Sequence, residues 1–288
     1  EHSNEKWNFG GTGFLQTPYL CWSGYNRWGT AAGTTDNVSM SILRSTIMAR
    51  DIKAAYPGNS RVKIVLGLQG AVGIASGSAN YLRVNGNTNY LGDSVVTAGS
   101  FGTPISNHDG ICYADYFDAG NTYYGGTGAG SFTDDSAMYA GTTPYSTPDT
   151  AQAIANFVEK VTKTASGSNA QPLSLYCDPD NPTAGLDYTY GQAMLALGKK
   201  AYQYEGGPDC RTKQGDTTWG SHVITAADST FLTACLDSTE LGDAMAAYFT
   251  ARSALAGVAI PSVFIFIGTL AGDRRWAYCG PDTYAGGV

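Results

Sequence analysis

The sequence predicts an α/β fold, a (β/α)8 barrel of which this chain covers roughly strands four to eight. Three observations lead there. Short apolar segments alternate with amphipathic ones along the whole chain, the apolar segments are hydrophobic throughout rather than at every second residue, and nothing recurs at solenoid length. Strands without alternation are buried on both faces, the pattern of a parallel sheet covered by helices. A chain of 288 residues is long enough for one large α/β domain, so residues 1–288 are expected to form a single barrel-type domain.

The elements are justified in order. The opening segment supplies only the tip of a strand before a Gly-rich turn. Asp36 or Asn37 can cap a helix that runs to about Tyr56, because Ile42, Leu43, Ile47, Met48 and Ile52 recur at helical spacing. Pro57-Gly58-Asn59 stops it, and residues 61–68 follow as a strand. Residues 81–103 read as a helix remnant and loops, and residues 110–117 as a second strand. Residues 119–148, rich in Gly, Thr, Ser and Tyr, form a long loop insertion. Asp149 caps a helix carrying Ile154, Phe157, Val158 and Val161. A short helix around 191–197 precedes a strand over 200–205. Residues 239–255 are helical, with Leu241, Met245, Tyr248 and Phe249 on one side, and 263–267 is the closing strand.

A complete barrel has eight strands, so the apolar flank left open calls for an N-terminal half or a partner chain to cover it. The start agrees with this expectation: the chain opens without Met, leader or linker on Glu1-His2-Ser3-Asn4-Glu5-Lys6-Trp7-Asn8. A processed product or a fragment is expected.

Composition narrows the function classes. Charged residues are 14%, Gly numbers 37 and Tyr 19. This composition is common in extracellular proteins that meet polysaccharide and in subunits of assemblies, so a homo-oligomer is one expectation. A net charge of -7 argues against nucleic acid, which requires a basic face. No apolar run approaches the roughly 20 residues of a membrane span; the longest candidate, 259–270, is interrupted by Pro261 and Gly268. The six cysteines contain no CxxC pair and there are only three His, which argues against a zinc cluster. The even cysteine count suggests disulfides and a secreted protein, with buried thiols in a cytosolic enzyme as the alternative. Asn37-Val38-Ser39 is an N-glycosylation triplet. There is no phosphate-binding loop, dinucleotide fingerprint or G-x-S-x-G motif, and no cofactor is expected.

Two carboxylates stand out by position. Glu205 ends an apolar strand before Gly206-Gly207, and Glu5 lies in Asn4-Glu5-Lys6-Trp7-Asn8 just before a Gly-rich turn. The C-terminal strand ends of a barrel form its active face. Two glutamates there can flank a glycosidic bond, one protonating the leaving oxygen while the other attacks the sugar carbon from about 5 Å away. Burial and the second negative charge raise the pKa of the acid.

Asn-Glu at a fourth strand end and Glu at a seventh resemble clan A glycoside hydrolases. The opening segment is similar to the E-x-S-N-E-x-W-N stretch of barrel proteins linked to cellulose-binding modules, and Tyr202-Gln203-Tyr204-Glu205-Gly206-Gly207 to their Y-E-G-G stretch. The resemblance implies Glu5 as general acid/base, Glu205 as nucleophile, Asn4 on the sugar 2-hydroxyl, and Tyr116 as the sixth-strand aromatic near the nucleophile. This chain departs from the pattern at Pro208-Asp209-Cys210, where polar Gln-His is usual.

Trp7, Trp22, Tyr25, Trp28, Trp219 and Trp276 lie in Gly-, Ser- and Asn-rich stretches read as loops. Such rings can stack on the C–H faces of sugars, and with Tyr116 and Tyr204 they are the candidate substrate contacts. His108-Asp109 precedes the second strand, as site lining or as a structural histidine. Asp134-Asp135 and Asp178-Pro179-Asp180 are turns, or calcium ligands without EF-hand spacing. Two functions follow: a retaining glycosidase acting on β-linked polysaccharide or oligosaccharide, or a non-catalytic extracellular structural or carbohydrate-binding subunit that reuses the barrel.

Overall fold

The computed structural model describes residues 16–29, 34–70, 72–117, 150–163, 172–208 and 234–259. The elements are α1 (Gln16–Trp28), α2 (Thr34–Ala55), β1 (Val65–Gly67), α3 (Ala79–Asn85), α4 (Thr88–Leu91), α5 (Ser94–Ala98), a 3-10 turn (Pro104–Asn107), β2 (Gly110–Phe117), α6 (Thr150–Thr162), α7 (Leu173–Tyr176), α8 (Leu186–Leu195), β3 (Lys200–Pro208) and α9 (Thr239–Ser253). They group into two compact units. The first holds the described residues before 115 with 189–202 and 256–259; the second holds 115–188 and 203–255.

In the first unit the strands lie in the order β1-β2-β3. β1 and β2 are parallel, with Val65 opposite Gly110, Leu66 opposite Ile111 and Gly67 opposite Cys112. Ala201 of β3 makes a further parallel bridge to Val258, its N–H donating to the Gly257 carbonyl and its carbonyl accepting from Ala259, both at 2.8 Å. β1 is shorter than the predicted 61–68 strand. Asp109 accounts for its start: its N–H donates to the Ile64 carbonyl at 2.6 Å, and its carboxylate accepts the Ile64 N–H at 2.8 Å. Burial alone would raise the Asp109 carboxyl, but the Ile64 amide and Lys53 hold it below its ordinary range.

α2 starts at Thr34, ahead of the predicted cap, and is buried on more than its apolar stripe. Val38, Met40, Ile42, Leu43 and Ala49 are buried, and so are Ser39, Ser41, Ser45 and Thr46. Small hydroxyl side chains let neighbouring elements approach closely, provided their polar atoms are satisfied. The Ser39 hydroxyl donates to Asn87 Oδ1 at 3.0 Å, and the Tyr90 hydroxyl donates to Thr46 at 3.3 Å.

The stretch read as a helix remnant and loops contains three short helices. Each opens on a capping side chain, Ser78, Asn87 or Asp93, that accepts a first-turn N–H, and each closes on glycine, Gly86, Gly92 or Gly99. Asp93 has a second role. It binds Arg27 through both oxygens at 2.5 and 2.7 Å and accepts the Trp28 indole N–H at 3.1 Å. It thereby ties the end of α1 to the start of α5, and Arg27 holds its carboxyl below the ordinary range.

Trp22, Tyr25 and Trp28 therefore lie on a helix and not on a loop, which corrects the expectation. Pro18 falls in the first turn, where it is tolerated. Leu20 and Gly24 are buried one turn apart, and Trp28, a further turn on, packs on the same cluster. Gly24 is thus a close-packing residue rather than a breaker.

The core of the second unit is Phe117, Phe157, Val158, Val161, Leu173, Tyr176, Cys177, Cys235, Leu236, Leu241, Met245 and Tyr248. α6 and α9 contribute the apolar positions predicted for them. α8 begins before the predicted short helix, with Asp187 in its first turn. Among the described residues no helix is long and apolar enough to cross a membrane. The described cysteines, Cys21, Cys112, Cys177 and Cys235, form no disulfide with one another; Cys210 and Cys279, the 119–148 loop and the 263–267 strand lie outside the described residues.

Asp93→Ala removes a helix cap together with a half-exposed ion pair. It is expected to lower stability by about 1–2 kcal/mol in urea unfolding, whereas Asp93→Asn, which keeps the cap, costs less.

Candidate functional site

A cluster of polar side chains is buried in the second unit, where β2 and β3 end. Asp115 comes from β2, Gln203 from β3, Asp187 from the first turn of α8, and Tyr248 and Arg252 from successive turns of α9. All five are buried. The spacing of Tyr248 and Arg252 puts both on one face of α9, the face that also buries Leu241 and Met245.

The hydrogen bonds form one chain. Arg252 Nε donates to Asp187 Oδ2 at 2.8 Å, with both side chains fully buried. The Tyr248 hydroxyl lies between Asp187 Oδ2, at 3.3 Å, and Asp115 Oδ2. The Gln203 amide donates to Asp115 Oδ1. The guanidinium is bonded to Asp187, and Asp115 is joined to it through Tyr248. Burial, and then the charge on Asp187, raise the Asp115 carboxyl well above its ordinary range. The Tyr248 hydroxyl donates towards both carboxylates, and the Arg252 guanidinium faces Asp187. Burial and the Asp115 contact push the Tyr248 phenol up as well.

The glycines after Glu205 fit this cluster. A Cβ on Gly206 would overlap the Asp115 carboxyl and the Gln203 amide, and Gly207 has φ of 137°, which disfavours any side chain. The groups around the cluster, including Phe117, Met245 and Phe249, leave no room for a water molecule. The cluster supports the strand ends. Cys177 belongs to the same interior; burial and then Asp187 push its thiol up to about 12, so it is no nucleophile at neutral pH.

Comparison with protein-family models, with curated proteins and with solved structures finds no match.

Of the predicted site residues, Asn4, Glu5, Trp7, Trp219 and Trp276 lie outside the described residues, and Glu205 is described only as a residue of β3. Tyr204 of β3 and Tyr116 of β2 are half-buried, and the Tyr116 carbonyl accepts the Tyr176 hydroxyl at 3.0 Å. In the first unit, Trp22 and Tyr25 are exposed on α1, while Trp28 packs against the core. His108 is buried and its Nδ1–H donates to the Pro104 carbonyl at 2.8 Å, a structural role. Asp178 accepts the Asp180 N–H at 3.0 Å in a turn, and among the described residues no group of acids, His or Cys is arranged to hold a metal ion. Sequence reasoning passed over Asp115, Gln203, Asp187 and Arg252. The available signals were an acid inside an apolar strand and an arginine on the apolar face of a helix.

Asp115 binds its proton more tightly folded than unfolded, so its contribution is complete below the unfolded carboxylate pKa of about 4 and is lost as pH rises through the raised folded value. Asp115→Asn mimics the protonated acid and is expected to flatten the alkaline decline. Urea midpoints measured across that range should converge or cross for the two proteins as pH rises; parallel curves would contradict the assignment.

Proposed function

We propose that the chain is a secreted retaining glycoside hydrolase acting on β-linked polysaccharide or its oligomers, built on a (β/α)8 barrel, with Glu5 as general acid/base and Glu205 as nucleophile. The observation that supports this reading best is the end of β3. There the Tyr204-Glu205-Gly206-Gly207 stretch follows Gln203, which is anchored to Asp115, and both glycines have a steric reason to be glycine. A nucleophilic carboxylate needs a rigid support that does not raise its pKa. The cluster supports this reading: it ties Gln203 to Asp115 by a hydrogen bond, and the Asp187 charge is paired with Arg252.

In the first step the Glu205 carboxylate bonds to the anomeric carbon as the glycosidic C–O bond breaks, and Glu5 gives its proton to the departing oxygen. In the second step Glu5 takes a proton from water, the water oxygen bonds to the anomeric carbon, and Glu205 leaves as a carboxylate. Water is consumed, configuration is retained and no cofactor is required. The exposed rings of α1 also suit a carbohydrate-binding subunit without turnover, and turnover separates the two readings.

Reducing-sugar release from xylan, mannan and β-glucans is the test. Glu5→Gln and Glu205→Gln are each expected to lower kcat by at least about 10³-fold with unchanged circular dichroism and melting. Full activity in both variants, or release of the inverted anomer by NMR, would overturn the assignment.

A further inference from the structure

α1 carries three aromatic side chains that the fold of the first unit does not bury. Tyr19 is 49% exposed, Trp22 63% and Tyr25 48%. Their spacing, i, i+3 and i+6, makes a slanted stripe about 9 Å long on one side of the helix, opposite the face buried through Leu20 and Gly24. The Tyr19 and Trp22 rings are 6.2 Å apart at 32°, close to a shared platform. Polar groups border them. Arg44 of α2 stands over the Tyr19 ring, 5.0 Å from its centre, and donates to its hydroxyl at 3.1 Å. Ser23 and then Arg44 draw that phenol below its ordinary range. Asn26, exposed one turn after Trp22, donates only to the Trp22 carbonyl among the described groups. Arg44 also lines a groove of about 520 Å³ that has Asp51 as its acid.

We infer that this stripe is a binding platform for a neutral polysaccharide chain. Aromatic faces pack on the C–H faces of pyranose rings, while the equatorial hydroxyls at ring edges need polar groups such as Arg44, beside Tyr19, and Asn26, one turn after Trp22. A second copy of the chain fits less well. The three half-exposed rings offer on the order of 300 Å², well short of the roughly 800 Å² per partner that a stable protein interface buries. The choice of polysaccharide as the ligand rests on the proposed glycosidase reading, but binding here needs neither glutamate.

Affinity electrophoresis of the full chain through gels containing hydroxyethyl cellulose, xylan or mannan tests the inference, with a Glu205→Gln background to prevent digestion. At least one polysaccharide should retard the protein. Trp22→Ala with Tyr25→Ala should weaken retardation about tenfold, and Trp22→Tyr should keep most of it. Both rings are exposed, so the variants should melt with the parent. No retardation by any polysaccharide, or retardation indifferent to the rings, would overturn the platform. So would light scattering that showed a dimer dispersed by the same variants. Retardation without turnover in the wild type would leave the platform standing and remove the glycosidase.

Discussion

Arg252 is fully buried in the second unit, and its guanidinium is tolerable there because the Asp187 carboxylate lies 2.8 Å from its Nε. Much else in that unit follows from this pair. Tyr248, one turn away on α9, bonds to the same carboxylate and passes the connection to Asp115. Asp115 in turn takes the amide of Gln203. Four elements are thereby bound to one another by groups that tolerate little displacement, since each broken link would strand a buried polar atom. Apolar packing among Phe117, Phe157, Met245 and their neighbours favours compaction in general, whereas the polar chain favours one register of β2 and β3 in particular.

The first unit uses a different economy of polar groups. Its central helix buries serine and threonine in place of longer polar side chains, and its three short helices are each started by a side-chain cap and stopped by glycine. Asn80 belongs to the same style. Its side chain accepts the Gln69 N–H at 3.1 Å and donates to the Gln69 carbonyl at 2.7 Å, holding the segment after β1 much as a strand neighbour would. Tyr190 joins this junction, its hydroxyl 2.9 Å from the Gly70 carbonyl and its ring 4.6 Å from Tyr113. A chain with only 14% charged residues satisfies its interior with hydroxyls and amides because these carry a smaller desolvation cost than ions.

Where periodicity alone decides structure, the sequence was legible. β2 matches the predicted strand, and Phe157, Val158 and Val161 on α6 and Leu241, Met245 and Tyr248 on α9 are buried as their spacing requires. Periodicity fails where small polar residues are packed. Ser23, Gly24 and Asn26 made α1 look like a loop, and the burial of Ser39, Ser41 and Ser45 on α2 has no counterpart in its apolar spacing. The short helices were missed because each is below the length at which a pattern can repeat, although their cap and glycine pairs were present in the sequence. Asp115 and Arg252 were missed for another reason: their partners, Tyr248 and Asp187, lie far off in the chain and leave no local signal. What the sequence did single out near the site, Gly206-Gly207, acquires a physical basis in the lack of room at the first and the φ of the second.

The proposed chemistry depends on two glutamates supplied by segments far apart in the chain, Glu5 and Glu205. The hydrogen-bonded cluster that holds Gln203, two positions before Glu205, is the support the proposed nucleophile would draw on, and retention of configuration sets the geometry of its partner. The separation of the two carboxyl carbons in a crystal structure that resolves both side chains is the most direct test. The account predicts about 5 Å across an open groove; a separation beyond about 10 Å would leave the pair unable to act on one glycosidic bond and would contradict it.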